Sequence, residues 1–287
     1  MAGKISTENK LKYQEQNKQL KEQIAEHREK IKAYKAKEKE SEKFANYYYI
    51  ASANEYLNVV NDFINLNTLS MNLMKSKNEG YLNDARKNYF NALIELEKVF
   101  SSYIDTELKE NEEILNTIKE FNPERKLKLI QKLGYALEML EQSYGANTKW
   151  KWSFVDMECR YITVLKNMID WKKVGSNNDP RMPFYEEQEV LSRMAKERML
   201  NAAERAREKY ELSTHEIEDM RKATGYLHSL RRIFAVFGES DQAEEMKKKA
   251  KAWTKKIEAD LKAKDRKMRA DEVSNKKKKK KKSSLFG

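Results

Sequence analysis

The chain has 287 residues, of which 39% are hydrophobic and 36% charged, with only 8 Gly and 3 Pro. That is too little apolar material for one thick core and enough for thin helical bundles, and the scarcity of turn residues argues against a sheet protein of this length. The net charge of +12 is polarised: residues 247–282 carry 18 Lys/Arg against 5 Asp/Glu, which leaves 40 basic and 41 acidic residues elsewhere. The body is therefore near neutral. A single cysteine, Cys159, excludes an intrachain disulfide framework, and no apolar run approaches the ~18 residues of a membrane span.

Residues 4–74 contain no Gly or Pro. One continuous helix over that stretch would be on the order of 100 Å long. Tyr13, Asn17, Leu20, Ile24, His27, Ile31 and Tyr34 follow the alternating 4/3 spacing of a heptad seam, with Asn17 where a buried Asn can fix register. Glu38 and Ser41 break the seam. Residues 1–43 therefore read as a polar, coiled-coil-like arm, which either pairs through the seam or stays a solvated helix. From Phe44 a wide apolar face begins, and the turn at Asn78-Glu79-Gly80 ends the helix. Leu82–Glu120 reads as a second long helix. Asn122-Pro123 is a cap followed by Pro at the first helical position, opening a helix that Gly145 stops. Thr148 caps the next helix, Lys149–Val174, the richest in aromatics.

Residues 175–183 hold two of the three prolines and read as a hinge between a bundle (44–174) and a second helical segment (184–273). In that second segment Ser213 and Glu216 match a capping box, the following helix stops at Gly238, and Ser240-Asp241 caps a last helix to about Glu272. Lys276, Lys277, Lys278, Lys279, Lys280, Lys281 and Lys282 are a run of like charges, so 274–287 reads as a disordered tail. Such a tail suits phosphate or anionic lipid, an acidic protein surface, or a localisation signal; the bland alternative is a merely solvated tail. The fold class expected is all-α and elongated: long antiparallel helices in a bundle, with an extended arm, a hinge and no sheet.

No catalytic template fits. None of His27, His215 and His228 follows a Glu by three residues, and there is no His-Glu-x-x-His, phosphate loop or Gly-x-Ser-x-Gly elbow. Asn177, Asn178 and Asp179 with Glu186 and Glu187 lack calcium-loop spacing and read as turn formers. Cys159, on an apolar helix, reads as a structural thiol. The expectation is a protein that is not an enzyme, with no catalytic residue, cofactor or metal. Its candidate interface residues are aromatic: Tyr47, Tyr48, Trp150, Trp152, Trp171, Phe184 and Tyr185. Trp is enriched at binding hot spots; for Trp150 and Trp152, which point to different helix faces, the equal alternative is that one anchors the core and the other lies at a surface groove.

The block Trp150-Lys-Trp-Ser-Phe-Val-Asp-Met-Glu-Cys-Arg-Tyr161, then Asn177-Asn-Asp-Pro-Arg-Met-Pro-Phe-Tyr185, then Met194-Ala-Lys-Glu-Arg198, together with the polar first helix and the lysine tail, resembles the flagellar coiling proteins of Leptospira-type spirochaetes. The resemblance is one of pattern and size over most of the chain. It implies a bent, all-helical protein that coats the periplasmic flagellar filament and contributes to its curvature and to motility. Its partners would be other filament or sheath proteins, or copies of itself. The start, Met1-Ala-Gly-Lys-Ile5, lacks the apolar core of an export signal; without the resemblance the expectation is a cytoplasmic protein. The alternatives are a nucleic-acid or anionic-surface binder acting through the basic C-terminal region, and an intracellular helical adaptor.

Overall fold

The computed structural model describes residues 5–176 and 179–283, with side chains as far as Arg269. Among these residues there are ten α-helices and no strand: α1 (Thr7–Glu40), α2 (Ala45–Met74), α3 (Glu79–Phe100), α4 (Leu108–Asn116), α5 (Pro123–Tyr144), α6 (Lys151–Asn167), α7 (Trp171–Ser176), α8 (Tyr185–Lys209), α9 (Ile217–Val236) and α10 (Ser240–Ser283). The all-α expectation holds. Helices α1, α2 and α3 pack consecutively, as do α8, α9 and α10. Between these sets lie α5, against α2, α3 and α8, and α6, against α3 and α8. One connected core runs from Ile24 to Ile257.

The caps at Asn122, Pro123 and Gly145 form as expected. The Asn122 side chain accepts from Arg125 N, and Gly145 ends α5 at φ +86°. The turn expected at Asn78-Glu79-Gly80 falls earlier: α2 ends at Met74 with Lys75 left-handed (φ +52°), and Asn78 instead caps α3, which contains Glu79 and Gly80, by accepting from Tyr81 N. The capping box at Ser213 does not form. A π-helical turn occupies Tyr210–Thr214, His215 adopts a left-handed backbone, and the Thr214 hydroxyl donates to Asp219 at 2.7 Å instead.

Four further expectations are corrected. The polar arm does not extend: the chain leaves helical geometry at Ser41 (φ −143°, ψ 98°), and α1 folds back along α2. Its seam is real, since Asn17, Ile24 and Ile31 are buried, but the partner is the chain's own α2. The helix expected over Leu82–Glu120 breaks at Ser101 (φ +64°), giving α3, a loop and α4. The helix expected to Val174 ends at Asn167, and α7 follows as a separate turn. Residues 175–183 do not separate two cores: α8 packs on α6, and Trp171 meets Phe237 edge-on with centroids 6.2 Å apart. Gly175 lies inside α7, where a Cβ would come within 2.8 Å of Val236 Cγ1, so its small size serves close packing rather than a turn.

At the C-terminus α10 runs through Ser283, where a disordered stretch from 274 is expected. Lysine is a good helix former, and no Gly or Pro intervenes. The side chains of Lys276–Lys282 lie outside the described residues, as do Asn177 and Asn178 altogether.

Trp150 and Trp171, equivalent as candidates in the sequence, occupy opposite environments. Trp171 is 1% exposed, whereas Trp150 is half-buried. Trp171→Ala is expected to cost about 3–5 kcal/mol of stability through the cavity it leaves, and Trp150→Ala about 1–2 kcal/mol. Urea unfolding of both variants checks the contrast; equal losses would contradict the assignment.

Candidate functional site

The site is built outward from the C-terminal end of α6. Lys166 is completely buried, and its ammonium donates to the Thr106 carbonyl at 2.9 Å. Asn167 donates to the carbonyls of Ser101 and Tyr103, at 3.3 and 3.1 Å, and accepts from Asn111 on α4 at 3.4 Å. The Trp171 indole N–H closes the end of α6 by donating to the Lys166 carbonyl at 2.9 Å. The loop 101–107 thus exchanges helical hydrogen bonds for side-chain donors from α6. Buried polar groups without partners are costly, and this exchange is why residues 101–107 are not helix despite lacking Gly and Pro. Burial pushes the Lys166 ammonium down to about 7, with the Arg232 guanidinium adding to the displacement and Asp105 and Glu110 opposing it.

This polar knot positions two walls of a cleft of about 500 Å³, within the ~300–1,000 Å³ range of ligand sites. One wall is α4 and the turn after it (Leu115, Ile118, Phe121); another is Met168, Ile169 and Val174. The start of α5 and the start of α8 (Phe184, Leu191) complete it. Lys119, Lys126 and Lys173 line the cleft together with the single acid Asp170. The Lys126 ammonium donates to the Met168 carbonyl at 3.1 Å, and burial draws it down to about 8 against the pull of Asp170. Gln188 Oε1 is buried in the cleft without a hydrogen-bond partner among the described residues. Phe184 caps α8 in a left-handed backbone (φ +62°, ψ +24°). For a bulky residue this is a strained conformation costing about 1–3 kcal/mol, of the kind that gathers at ligand clamps.

Of the seven candidate aromatics one lines the cleft and two hold segments that adjoin it. Phe184 lines the cleft. Trp171 sits behind it, a core residue rather than an exposed interface anchor, because its indole is needed to close α6. The Tyr47 hydroxyl accepts from Glu120 N at 3.2 Å and so holds the cleft's rim. Tyr185 is half-buried beside Phe184. The other three lie elsewhere: Tyr48 stacks on Tyr34 at 6.4 Å, Arg86 lies 3.8 Å over the Trp150 ring, and Lys151 lies 4.7 Å from the Trp152 centroid. Sequence reading missed Lys126, Lys166 and Asn167, which look like ordinary polar helix residues.

Cys159 is buried, and desolvation pushes its thiol up to about 12, as befits a structural cysteine. Among the described residues no group of three His, Cys, Asp or Glu could hold a metal ion, and no helix is long and apolar enough to cross a membrane. A second surface is α10. Met246, Ala250, Trp253 and Ile257 pack inward, and then every side chain from Leu261 to Arg269 is exposed.

Fold and site together define an all-α bundle protein with a lysine-lined apolar cleft and a basic projecting helix. The chain belongs to the TP0443 family, a spirochaete (Treponema) protein family, whose model matches residues 9–261. No curated protein and no solved structure matches it. The family match ends where packing ends: Asp260 accepts from the Tyr210 hydroxyl at 2.5 Å, and Leu261 is the first of the uninterrupted exposed run.

Lys166 has a pH signature. Its proton is held less tightly in the folded chain than in the unfolded one, so between about pH 7 and the ordinary lysine range the unfolded state binds more protons. Its contribution to stability therefore rises with pH across that window, by at most about 1.4 kcal/mol per pH unit. Urea unfolding from pH 6 to about 9.5 is expected to show this positive slope in the wild type and a smaller slope in Lys166→Met. Equal slopes would mean that Lys166 is not buried as described.

Proposed function

We propose that the protein is a non-enzymatic structural component that decorates a filament, in the first instance the periplasmic flagellar filament of a spirochaete, as part of its sheath. The observation that carries a protein-binding role is the cleft. Its walls are apolar, its charges are lysines around a single acid, and a strained aromatic guards it. That chemistry suits an apolar anchor flanked by acidic residues on a neighbouring protein, with the cations steering approach. Membership of a spirochaete family and a long-helix body with a near-neutral charge support the filament as the assembly, and location in the periplasm belongs to the same proposal.

A second reading, binding to nucleic acid or another anionic surface through α10, is favoured by one observation: the exposed segment from Leu261 to Arg269 carries Lys262, Lys264, Arg266, Lys267 and Arg269 against Asp265. Such binding would fall steeply with salt.

Co-sedimentation with sheath-stripped flagellar filaments, beside a DNA control, separates the two. The full chain is expected to pellet with filaments. Phe184→Asp should weaken this at least about tenfold, as expected when a charge enters an apolar anchor site, while truncation after Leu261 leaves it nearly unchanged. Failure to pellet, or insensitivity to Phe184→Asp, would overturn the cleft reading. Pelleting with DNA alone, lost on truncation or in salt, would establish the second.

A further inference from the structure

We infer that α1 is an exchangeable arm: it swings out about Ser41 and docks on α2 of a second copy of the chain, forming a closed two-fold dimer. The inference rests on the α1–α2 hairpin and is independent of the filament reading.

The hinge is the first observation. Residues 4–79 contain no Gly or Pro, and α1 and α2 are separated only by Ser41 and one 3-10 turn, Glu42–Phe44. Ser41 departs from helical geometry, Phe44 departs from it less (φ −108°, ψ 2°), and Ala45 returns to it. Helical hairpins commonly turn at a left-handed Gly; this one has no residue of that kind. Straightening Ser41 through Phe44 gives one helix from α1 through α2, and a short hinge of this sort is where arms exchange between copies.

The second observation is how α1 is held. Only Asn17, Ile24 and Ile31 are buried on it, and Ile31 lies outside the main core. Leu20 also packs, partly buried, against the core, and the other contacts are polar or aromatic. Asn17 donates to the Tyr81 hydroxyl at 3.0 Å, His27 Nδ1 lies 2.5 Å from Glu55, and Tyr34 stacks on Tyr48. Lys35 contacts Glu95 at 3.2 Å and donates to the Tyr56 hydroxyl at 3.0 Å. An arm held this way has little apolar burial to lose on leaving.

The third observation names the occupant. Lifting α1 uncovers Glu55, Asp62 and Glu95, which are 9%, 7% and 3% exposed with α1 in place. Their strip also holds Phe63 and Tyr56. Whatever covers it must bring matching groups in register with that strip, as His27 does by lying beside Glu55 and Asp62, Arg28 over the Phe63 ring and Lys35 beside Glu95. The α1 of another copy supplies that same set. Because the helices pair antiparallel, two straightened chains crossing at Ser41 reproduce every α1–α2 contact twice.

The test uses two single variants of the full chain, Tyr34→Cys and Tyr48→Cys, carrying different affinity tags. They are mixed, concentrated, oxidised and resolved on a non-reducing gel, with sedimentation velocity on the unmodified chain in parallel. Exchange predicts a disulfide joining the two tags, and a dimer in the unmodified chain that grows with concentration. Ser41→Ala should raise the dimer fraction about fivefold, as expected of a somewhat better helix former at both hinges. Inserting Gly-Ser-Gly after Ser41 should abolish the dimer while leaving helicity by circular dichroism unchanged. A monomer at every concentration, in the wild type and in Ser41→Ala alike, would overturn the inference. So would a dimer that forms no Tyr34→Cys to Tyr48→Cys disulfide, which would place association on another surface.

Discussion

The donation of the Lys166 ammonium to the Thr106 carbonyl, deep between α6 and the loop that ends α3, is the contact on which the middle of the molecule depends. A buried ammonium is costly unless it is hydrogen-bonded, and here its partner is backbone from a segment that has given up its own helical bonds. Each group answers the other's unmet requirement. Asn167 repeats the arrangement one residue on, and Asn111 draws α4 into it. Ile104 of the same loop meets Gly225 on α9, where a Cβ would stand 2.9 Å from its Cγ2. The loop is thereby clamped from both the central and the C-terminal helices.

The cleft follows from that clamp. Its walls are supplied by the segment after α4, the segment after α6 and the first turns of α5 and α8, and the α4 wall exists only because α3 ends at Phe100 instead of continuing to residue 120. Lys126, bonded to the Met168 carbonyl, ties the α5 wall to the α6 wall. Phe184, one of the lining residues, is then held in a left-handed backbone. Strain of this kind persists only where the surroundings over-determine it. The partner proposed for the cleft would meet a preformed surface, which lowers the entropic cost of docking.

Much of the helix content was legible in the sequence, because caps and stops act locally: Asn122-Pro123, Gly145 and Gly238 bound helices by their own geometry. The α1 seam was legible from its spacing, but its partner was not, since a hinge without Gly or Pro leaves no local sign that the helix reverses. The break at Ser101 was invisible for a different reason. Tertiary donors on α6, more than 60 residues away, compete for carbonyls that local propensity would keep helical. Gly175 misled because a small residue in a close contact and one in a turn look alike. Of the site, Phe184 could be picked out as an aromatic beside prolines; Lys126 and Lys166 could not, because their burial is decided by neighbours distant in the chain.

The dependence of the cleft on the buried knot is most directly measured by hydrogen exchange with mass spectrometry on the wild type and Lys166→Met. The wild type is predicted to protect the amides of residues 101–107, unusually for a segment without helix, and those of 115–123 and 168–174. In Lys166→Met all three segments should lose protection together while α2 and α9 keep theirs. Loss confined to 101–107, or rapid exchange of that loop in the wild type, would contradict the claim that the knot builds the cleft.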